Sequence, residues 1–477
     1  MEERKGFGSN FGFIMAAVGS AVGLGNIWGF PNKMGASGGA LFLIIYLVLA
    51  VFCGFIIMLG ELALGRKTGQ GAVGAYKVLS KKFGWMGWLG IASAFFILFF
   101  YCALGGYCIK YVVINVGDLF GAGFGSNGLT GGEVFGAFMG SPVESIIYGL
   151  IFVAITMVIV IGGIVGCIEK VCSIGMPCLF VALIICIIRA LTLENAVDGL
   201  KYMFVPGWAV ANGVIDEAPS FFNVLSTAGG QMFFSLSLGM GAMITYGSYL
   251  DKKENLEKNA VMIVVLDTLV ALMAGLCVIP ARFALDPEGA LGGPSLLFIT
   301  MQNVFQKMGS VGPIFGILFY LLVVFAAISS SISLLEVITT HFVDQAREAG
   351  KGDKRKKYCV IAAALVGLGC ILVCADCLGG NNIAPWQLLG LESYSGWNDC
   401  WLDFWDMLSE GIMMPLGALL MALMIGWEIG PEVVKGECEA TPGHKMGSYG
   451  FFKICIKVIT PLIMLFILYG QIKSFFG

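Results

Sequence analysis

Two short stretches place glycine, hydroxyl and amide groups where a lipid-embedded helix would carry only hydrocarbon. The first reads Gly19-Ser20-Ala21-Val22-Gly23-Leu24-Gly25-Asn26, and the second Ser235-Leu236-Ser237-Leu238-Gly239-Met240-Gly241. Glycine destabilises a helix interior by about 1 kcal/mol relative to alanine, and a helix that unwinds inside a bilayer releases main-chain groups that must find partners there. Such a break exposes carbonyl oxygens on one side and amide N–H groups on the other. Carbonyl, hydroxyl and amide oxygens are hard ligands that suit a small hard cation. The amide end of a half-helix attracts a carboxylate. One place can therefore hold a cation and a zwitterion together. Tight packing through small residues is the competing reading, but packing explains neither the hydroxyls nor Asn26.

Other apolar runs carry isolated polar groups. Ser329, Ser330 and Ser331 interrupt one and are followed by Glu336; Asp267 lies within VMIVVLDTLVALMAGL; Tyr101 lies within FILFFYCALGG. A carboxylate at membrane depth is costly, which makes Asp267 a functional candidate. The plainer alternatives are a protonated Asp267 hydrogen-bonded within the bundle and serines bonded back to their own helix. No nucleophile–base pair, metal cluster or phosphate loop points to an enzyme, and no organic cofactor is expected. Cys374 and Cys377 form a CxxC with Cys400 further on, but His341 and His444 are the only histidines, so companion metal ligands are lacking. A disulfide on the outer side stays open. Cys53, Cys102, Cys186 and Cys277 lie in apolar runs, where cysteine acts as a small hydrophobe.

The elements that must position these groups are membrane helices. Hydrophobic residues make up 58% of the 477 and charged residues 12%, against about 25% charged in a soluble domain, and mean hydropathy is +0.88. The expected fold is an all-α polytopic membrane protein in one transmembrane domain covering 1–477, because β-barrel strands would alternate. Eleven spans are expected at about 9–31, 39–64, 87–115, 144–164, 169–190, 220–249, 258–282, 308–343, 357–376, 403–427 and 450–472, each long enough for a hydrocarbon core of about 30 Å. Arg4 and Lys5 before the first apolar run imitate a signal peptide, but no small-residue cleavage site follows, so a retained helix is expected. Lys77, Lys81, Lys82, Lys252, Lys253 and the run from Arg347 to Lys357 fall on one side. That asymmetry puts the N-terminus in the cytoplasm and, with eleven spans, the C-terminus outside a cell membrane. The segment 345–357 reads as a solvated charge run. No basic stripe suggests nucleic acid, and nothing in the pattern fixes an oligomeric state. Two broken helices, the first and the sixth, point to an inverted-repeat transporter whose site lies where the breaks face each other.

At this point four motifs carry a specific resemblance: GSAVGLGNIWGFP at 19–31, GQMFFSLSLGMGAMITYGSY at 230–249, FAAISSSISLLE at 325–336 and LDFWDMLSEGIMMPLG at 402–417. Together they resemble the neurotransmitter:sodium symporter family, most closely its prokaryotic amino-acid transporters, over essentially the whole chain. The resemblance implies a leucine-transporter-type fold with broken helices 1 and 6, a 5+5 inverted repeat over about 9–190 and 220–427, and an extra helix at about 450–472. It implies sodium-coupled symport by alternating access. A first sodium site would use Ala21, Asn26, Ser235 and Asp267, completed by the substrate carboxylate; a second would use Gly19, Val22, Ala326, Ser329 and Ser330. Serines stand at 235 and 329 where threonine is common.

By the same resemblance the substrate carboxylate meets Leu24, Gly25 and the Tyr101 hydroxyl, and Phe234 closes over the pocket. Selectivity rests on Ile97, Ser237, Met240 and Leu334, with Ala21, Ser235 and Ser330 also at the pocket. Amine-transporting relatives carry aspartate at the position of Gly23, so glycine argues for a small amino acid, and the apolar lining for a hydrophobic or aromatic side chain. Asp267 would supply the negative charge that other members take from chloride, Ala271 one turn on being neutral, so chloride should not be required. Asp267 could also carry a proton outward once sodium and substrate leave. The inner gate would pair Arg4 with Asp344, with Phe7, Tyr249 and Glu336 nearby. The outer gate departs from the family, since Gly29 replaces the usual arginine; Lys33, one turn on, would reach toward Asp406. A transporter of another small amine or osmolyte, and a sensor that binds without transporting, are the competing functions.

Overall fold

The computed structural model describes residues 7–163, 167–291, 293–350, 354–390 and 397–476. Nine helices among them are long and apolar enough to cross a membrane. They are span 2 (Ala40–Thr68), span 3 (Met86–Phe120), span 4 (Pro142–Ile161), span 5 (Glu169–Leu191), span 7 (Leu256–Leu285), span 8 (Gly309–Glu348), span 9 (Arg355–Asp376), span 10 (Trp401–Glu428) and span 11 (Tyr449–Phe476). Span 1 is the pair Asn10–Ala21 and Gly25–Ala36, bent by 50° at its break. The run expected to form span 6 is a second interrupted element, Phe221–Ser235 and then Ala242–Gly247.

Local chemistry sets the ends. Ser9 starts span 1 by accepting the Gly12 amide at 2.9 Å, and Asn255 starts span 7 by accepting from Lys258 at 2.9 Å. Gly69 and Gly121, both left-handed, close spans 2 and 3. Span 1 continues past Pro31 to Ala36, the proline standing directly after the π-helical turn Gly25–Gly29 at the start of the α-helical stretch Phe30–Ala36. Spans 3 and 8 overrun their expected ends, to Phe120 and Glu348, as helices that continue beyond the apolar stretch.

Spans 3, 4, 8 and 9 pack into one group, with Gly106 laid on the main chain of Gly149. The inner half of span 1 lies against spans 5, 7 and 8, and the two halves of span 6 lie against span 2. Both breaks therefore sit inside the bundle. In span 6 the chain turns through Ser237, Gly239 and Gly241 with φ of 53°, 83° and 77°. Only glycine adopts this region without strain, so Ser237 must be held by its surroundings.

Glu61 of span 2, fully buried, provides part of that hold. Its Oε1 accepts the Gly239 amide at 2.7 Å. A released amide without a partner at this depth costs several kcal/mol. Glu61→Ala should therefore lower the thermal unfolding temperature in detergent, with a loss of about 1–3 kcal/mol, while Glu61→Gln, which keeps an acceptor oxygen, should lose less. Equal melting of both variants and the parent would remove the capping role.

Candidate functional site

Asp267, on span 7, is fully buried and is the centre of the first polar cluster. Asn26 Nδ2 donates to Asp267 Oδ1 at 2.7 Å, to the Asp267 carbonyl at 3.0 Å and to Ser235 Oγ at 2.9 Å. Ser235 Oγ donates to Asp267 Oδ2 at 2.9 Å, and Asn26 Oδ1 accepts the Gly23 amide at 3.0 Å. Residues far apart in sequence thus meet because both breaks open onto span 7. Ala21 borders the adjacent cavity.

A second cluster joins span 1 to span 8. Span 1 ends its inner half at Val22, whose ψ of 109° turns the carbonyl out of the helix. Ser330 Oγ donates to Val22 O at 3.1 Å and to Gly19 O at 3.4 Å; Ser329 Oγ donates to Val22 O at 3.2 Å and to Ala326 O at 2.9 Å. The three carbonyls and two hydroxyls named from the sequence therefore converge. These oxygens are hard ligands of the kind that suit a small hard cation.

Between the clusters lies a narrow cavity of about 10 Å³ lined by Ala21, Gly23, Gly25, Ile97, Tyr101, Phe234, Ser237, Met240, Ser330 and Leu334. Tyr101 OH accepts the Leu24 amide at 2.9 Å, which leaves its own proton to donate. Phe234 stands edge-on to Tyr101, with centroids 6.5 Å apart, and is itself buried. Ile97, Met240 and Leu334 form an apolar end. A Cβ at Gly23 would collide with Ser330 Oγ and Tyr101 OH, so no larger residue fits there. Leu24 takes part through its amide, and Ser235 faces Asp267, so neither lines the cavity. Ser237 Oγ donates to Ser20 O at 2.9 Å and links the two breaks.

Above the cavity Lys33 forms an ion pair with Glu410, while Asp406, toward which its spacing pointed, lies near enough for the two charges to act on each other without a direct ion pair. Residues Met407–Met413 form a π-helical turn, which changes the angular register and brings Glu410 inward. Lys33 Nζ also lies 6.0 Å from the centroid of Phe234. At Gly29 the room an arginine would use is taken by Gln231, whose Nε2 donates to Gly25 O at 2.6 Å.

At the other end Phe7 packs on Phe13, Tyr246 and Tyr249, with centroids at 5.3, 6.0 and 6.5 Å. Tyr249 OH lies 3.5 Å from Thr340 Oγ1, and Asp344 Oδ2 accepts the Gly71 amide at 3.3 Å. Arg4 lies outside the described residues. Glu336 accepts from Thr340 at 2.7 Å and forms an ion pair with Arg355, whose Nε donates to Val160 O at 3.0 Å. Arg355 is therefore not part of a solvated charge run.

Glu61, Gln231, Glu410 and Arg355 were not singled out from the sequence. Glu61 could have been found by the rule that found Asp267, since it too is a lone carboxylate in an apolar run. The fifteen cysteines carry no disulfide, and Cys377 Sγ lies 3.4 Å from the Cys374 carbonyl.

Comparison with known proteins agrees with this geometry. Residues 4–119 and 137–476 match the sodium:neurotransmitter symporter family. The sodium-dependent transporter YhdH of Bacillus subtilis is 32% identical over 469 residues, covering 96% of each chain. A sodium-dependent transporter of Haemophilus influenzae is 30% identical over 481 residues, covering 98% of each. The crystal structure of MhsT in complex with L-phenylalanine superposes with a TM-score of 0.84 at 33% identity, over 98% of this chain and 100% of that one. The chain is a multi-pass membrane protein of the leucine-transporter fold, and it belongs to the sodium:neurotransmitter symporter family, a family of transporters and not of enzymes.

Proposed function

We propose that the protein imports a small hydrophobic or aromatic L-amino acid by sodium-coupled symport, and that chloride plays no part. The observation that carries this reading is the cavity between the breaks, polar at Tyr101 and Ser330 and apolar at Ile97, Met240 and Leu334. Its relative MhsT, solved with L-phenylalanine, supports the same substrate class. The substrate carboxylate accepts the Tyr101 O–H and meets the backbone around Leu24 and Gly25, and the side chain lies among Ile97, Met240 and Leu334, which give way to admit it. Gly23 excludes the aspartate an amine substrate would need.

Two sodium ions bind as cargo in this reading. One meets Ala21 O, Asn26, Ser235, Asp267 and the substrate carboxylate; Asn26 offers its oxygen by a half-turn of the amide. The other takes Gly19 O, Val22 O, Ala326 O and the hydroxyls of Ser329 and Ser330, exchanging O–H···O contacts for ion–oxygen contacts. Asp267 supplies a negative charge within the protein, which is the role chloride would otherwise serve. Spans 1–5 and 6–10 act as inverted repeats with span 11 appended. Lys77, Lys81, Lys82, Lys252, Lys253, Lys354, Lys356 and Lys357 support a cytoplasmic N-terminus and an outer C-terminus in a cell membrane.

In a thermal-unfolding screen of the twenty amino acids, hydrophobic or aromatic ones should stabilise the protein in sodium and not in potassium, by about 2.7 kcal/mol at a hundredfold excess over Kd. Stabilisation by monoamines alone, or equal effects in potassium, would sink the proposal. Uptake should persist when gluconate replaces chloride. Asp267→Asn removes the charge that meets sodium and should weaken sodium binding by roughly ten- to a hundredfold; unchanged sodium dependence would refute that role.

The outer gate is tested separately. A cysteine at position 97 should react faster with an impermeant thiol reagent added outside when Lys33→Met or Glu410→Gln is also present. A pair contributing about 1 kcal/mol predicts roughly fivefold. If Asp406→Asn accelerates labelling and Glu410→Gln does not, the gate lies at Asp406 after all.

A further inference from the structure

The C-terminal end of span 11 lends no residue to the cavity or to the two polar clusters, yet three of its side chains are set into glycines of the elements beside them. Ile467, Gln471 and Phe475 stand four residues apart and so share one face of the helix. Ile467 rests on Gly229 and Gln471 on Gly230, both in the first half of span 6 (Phe221–Ser235). Phe475 rests on Gly411, inside the π-helical turn Met407–Met413 of span 10. A Cβ on Gly230 would lie 2.6 Å from Gln471 Nε2, and one on Gly411 would lie 2.5 Å from Cε2 of the Phe475 ring. The side chains of span 11 thus occupy the room those Cβ atoms would take.

Polar contacts fix the same face. Gln471 Nε2 donates to Ser226 O at 3.0 Å, and Ser226 Oγ donates to Ile467 O at 3.2 Å. Span 11 is therefore tied to span 6 at one level, and its next turn reaches span 10. Gly230 also faces the ion pair, since its Cβ position is 3.6 Å from Glu410 Oε1, the carboxylate that meets Lys33. A π-helical turn is an exception inside an α-helix, so its neighbours must hold it. The Phe475 ring lies against Gly411, the residue next to Glu410, and supports the turn from outside.

We propose that Gln471 and Phe475 are positioning residues. Through them span 11 holds the π-helical turn of span 10 in the register that sets Glu410 on Lys33, and ties that turn to the first half of span 6. The effect on access rests on the reading of Lys33 and Glu410 as an outer gate; the register itself is measurable without it.

The register is read by bridging Lys33→Cys to Glu410→Cys with a short bifunctional thiosulfonate in the full chain, the bridged peptides being counted by mass spectrometry. Phe475→Ala should lower the yield roughly fivefold and Gln471→Ala should lower it too, while Phe475→Leu, which keeps an apolar body on Gly411, should stay near the parent. Access is read with Ile97→Cys and an impermeant thiol reagent added outside. Phe475→Ala should accelerate that labelling, and should add nothing once Glu410→Gln is present, because both act through one contact. Unchanged bridging in Phe475→Ala and Gln471→Ala overturns the proposal. So does acceleration that is equally large with Glu410→Gln, which would show general loosening of the bundle. If bridging falls but Glu410→Gln alone leaves labelling unchanged, the positioning stands and the gate reading fails. Should Phe475→Ala not fold, Gln471→Ala carries both measurements.

Discussion

Hydrocarbon offers no partner to a main-chain amide or carbonyl, so every group released where spans 1 and 6 break must be answered from within the bundle. That requirement accounts for much of the buried polarity. Glu61 answers the Gly239 amide, Tyr101 the Leu24 amide and Asn26 the Gly23 amide. Ser329 and Ser330 answer the carbonyls of Gly19 and Val22. The contacts differ in how replaceable they are. A carbonyl that accepts a serine O–H can accept a cation instead, whereas an amide held by Glu61 has no such alternative. The proposed second ion site thus lies where hydroxyls meet carbonyls, whereas Glu61 on the Gly239 amide is a fixed support.

The parts of the site visible in the sequence are those where a polar group contradicts its neighbours. Asn26, Asp267 and the serines at 329 and 330 each stand out in an apolar run, and the structure brings each to the junction of the two breaks. The parts that were not visible depend on angular register or reach. Glu410 faces Lys33 because of a π-helical turn that no residue pattern announced. Arg355 sits among other basic residues, and only the folded chain shows its side chain reaching back to Glu336 and Val160. Span ends followed composition except where a helix ran on past a proline or past its apolar stretch.

At the proposed outer gate the contacts are arranged around a glycine. With glycine at 29, Gln231 fills the space and binds Gly25 O, and the positive charge moves one turn along span 1 to Lys33. Lysine is a point charge on a flexible stem and lacks the two-pronged fit of arginine to a carboxylate. The same ammonium lies near the ring of Phe234, so the ion pair and that wall of the cavity share one group.

Ser237 donates to the carbonyl of Ser20, and with the Asn26–Ser235 and Gln231–Gly25 contacts it pins the break in span 6 to the break in span 1. Two hinges joined by a pin do not swing independently. If the inner half of span 1 tilts away, Ser237 must follow or surrender its bond in a place where nothing replaces it. In mechanical terms the centre of the molecule has fewer degrees of freedom than its helices suggest, and a cargo that steadies either hinge steadies both.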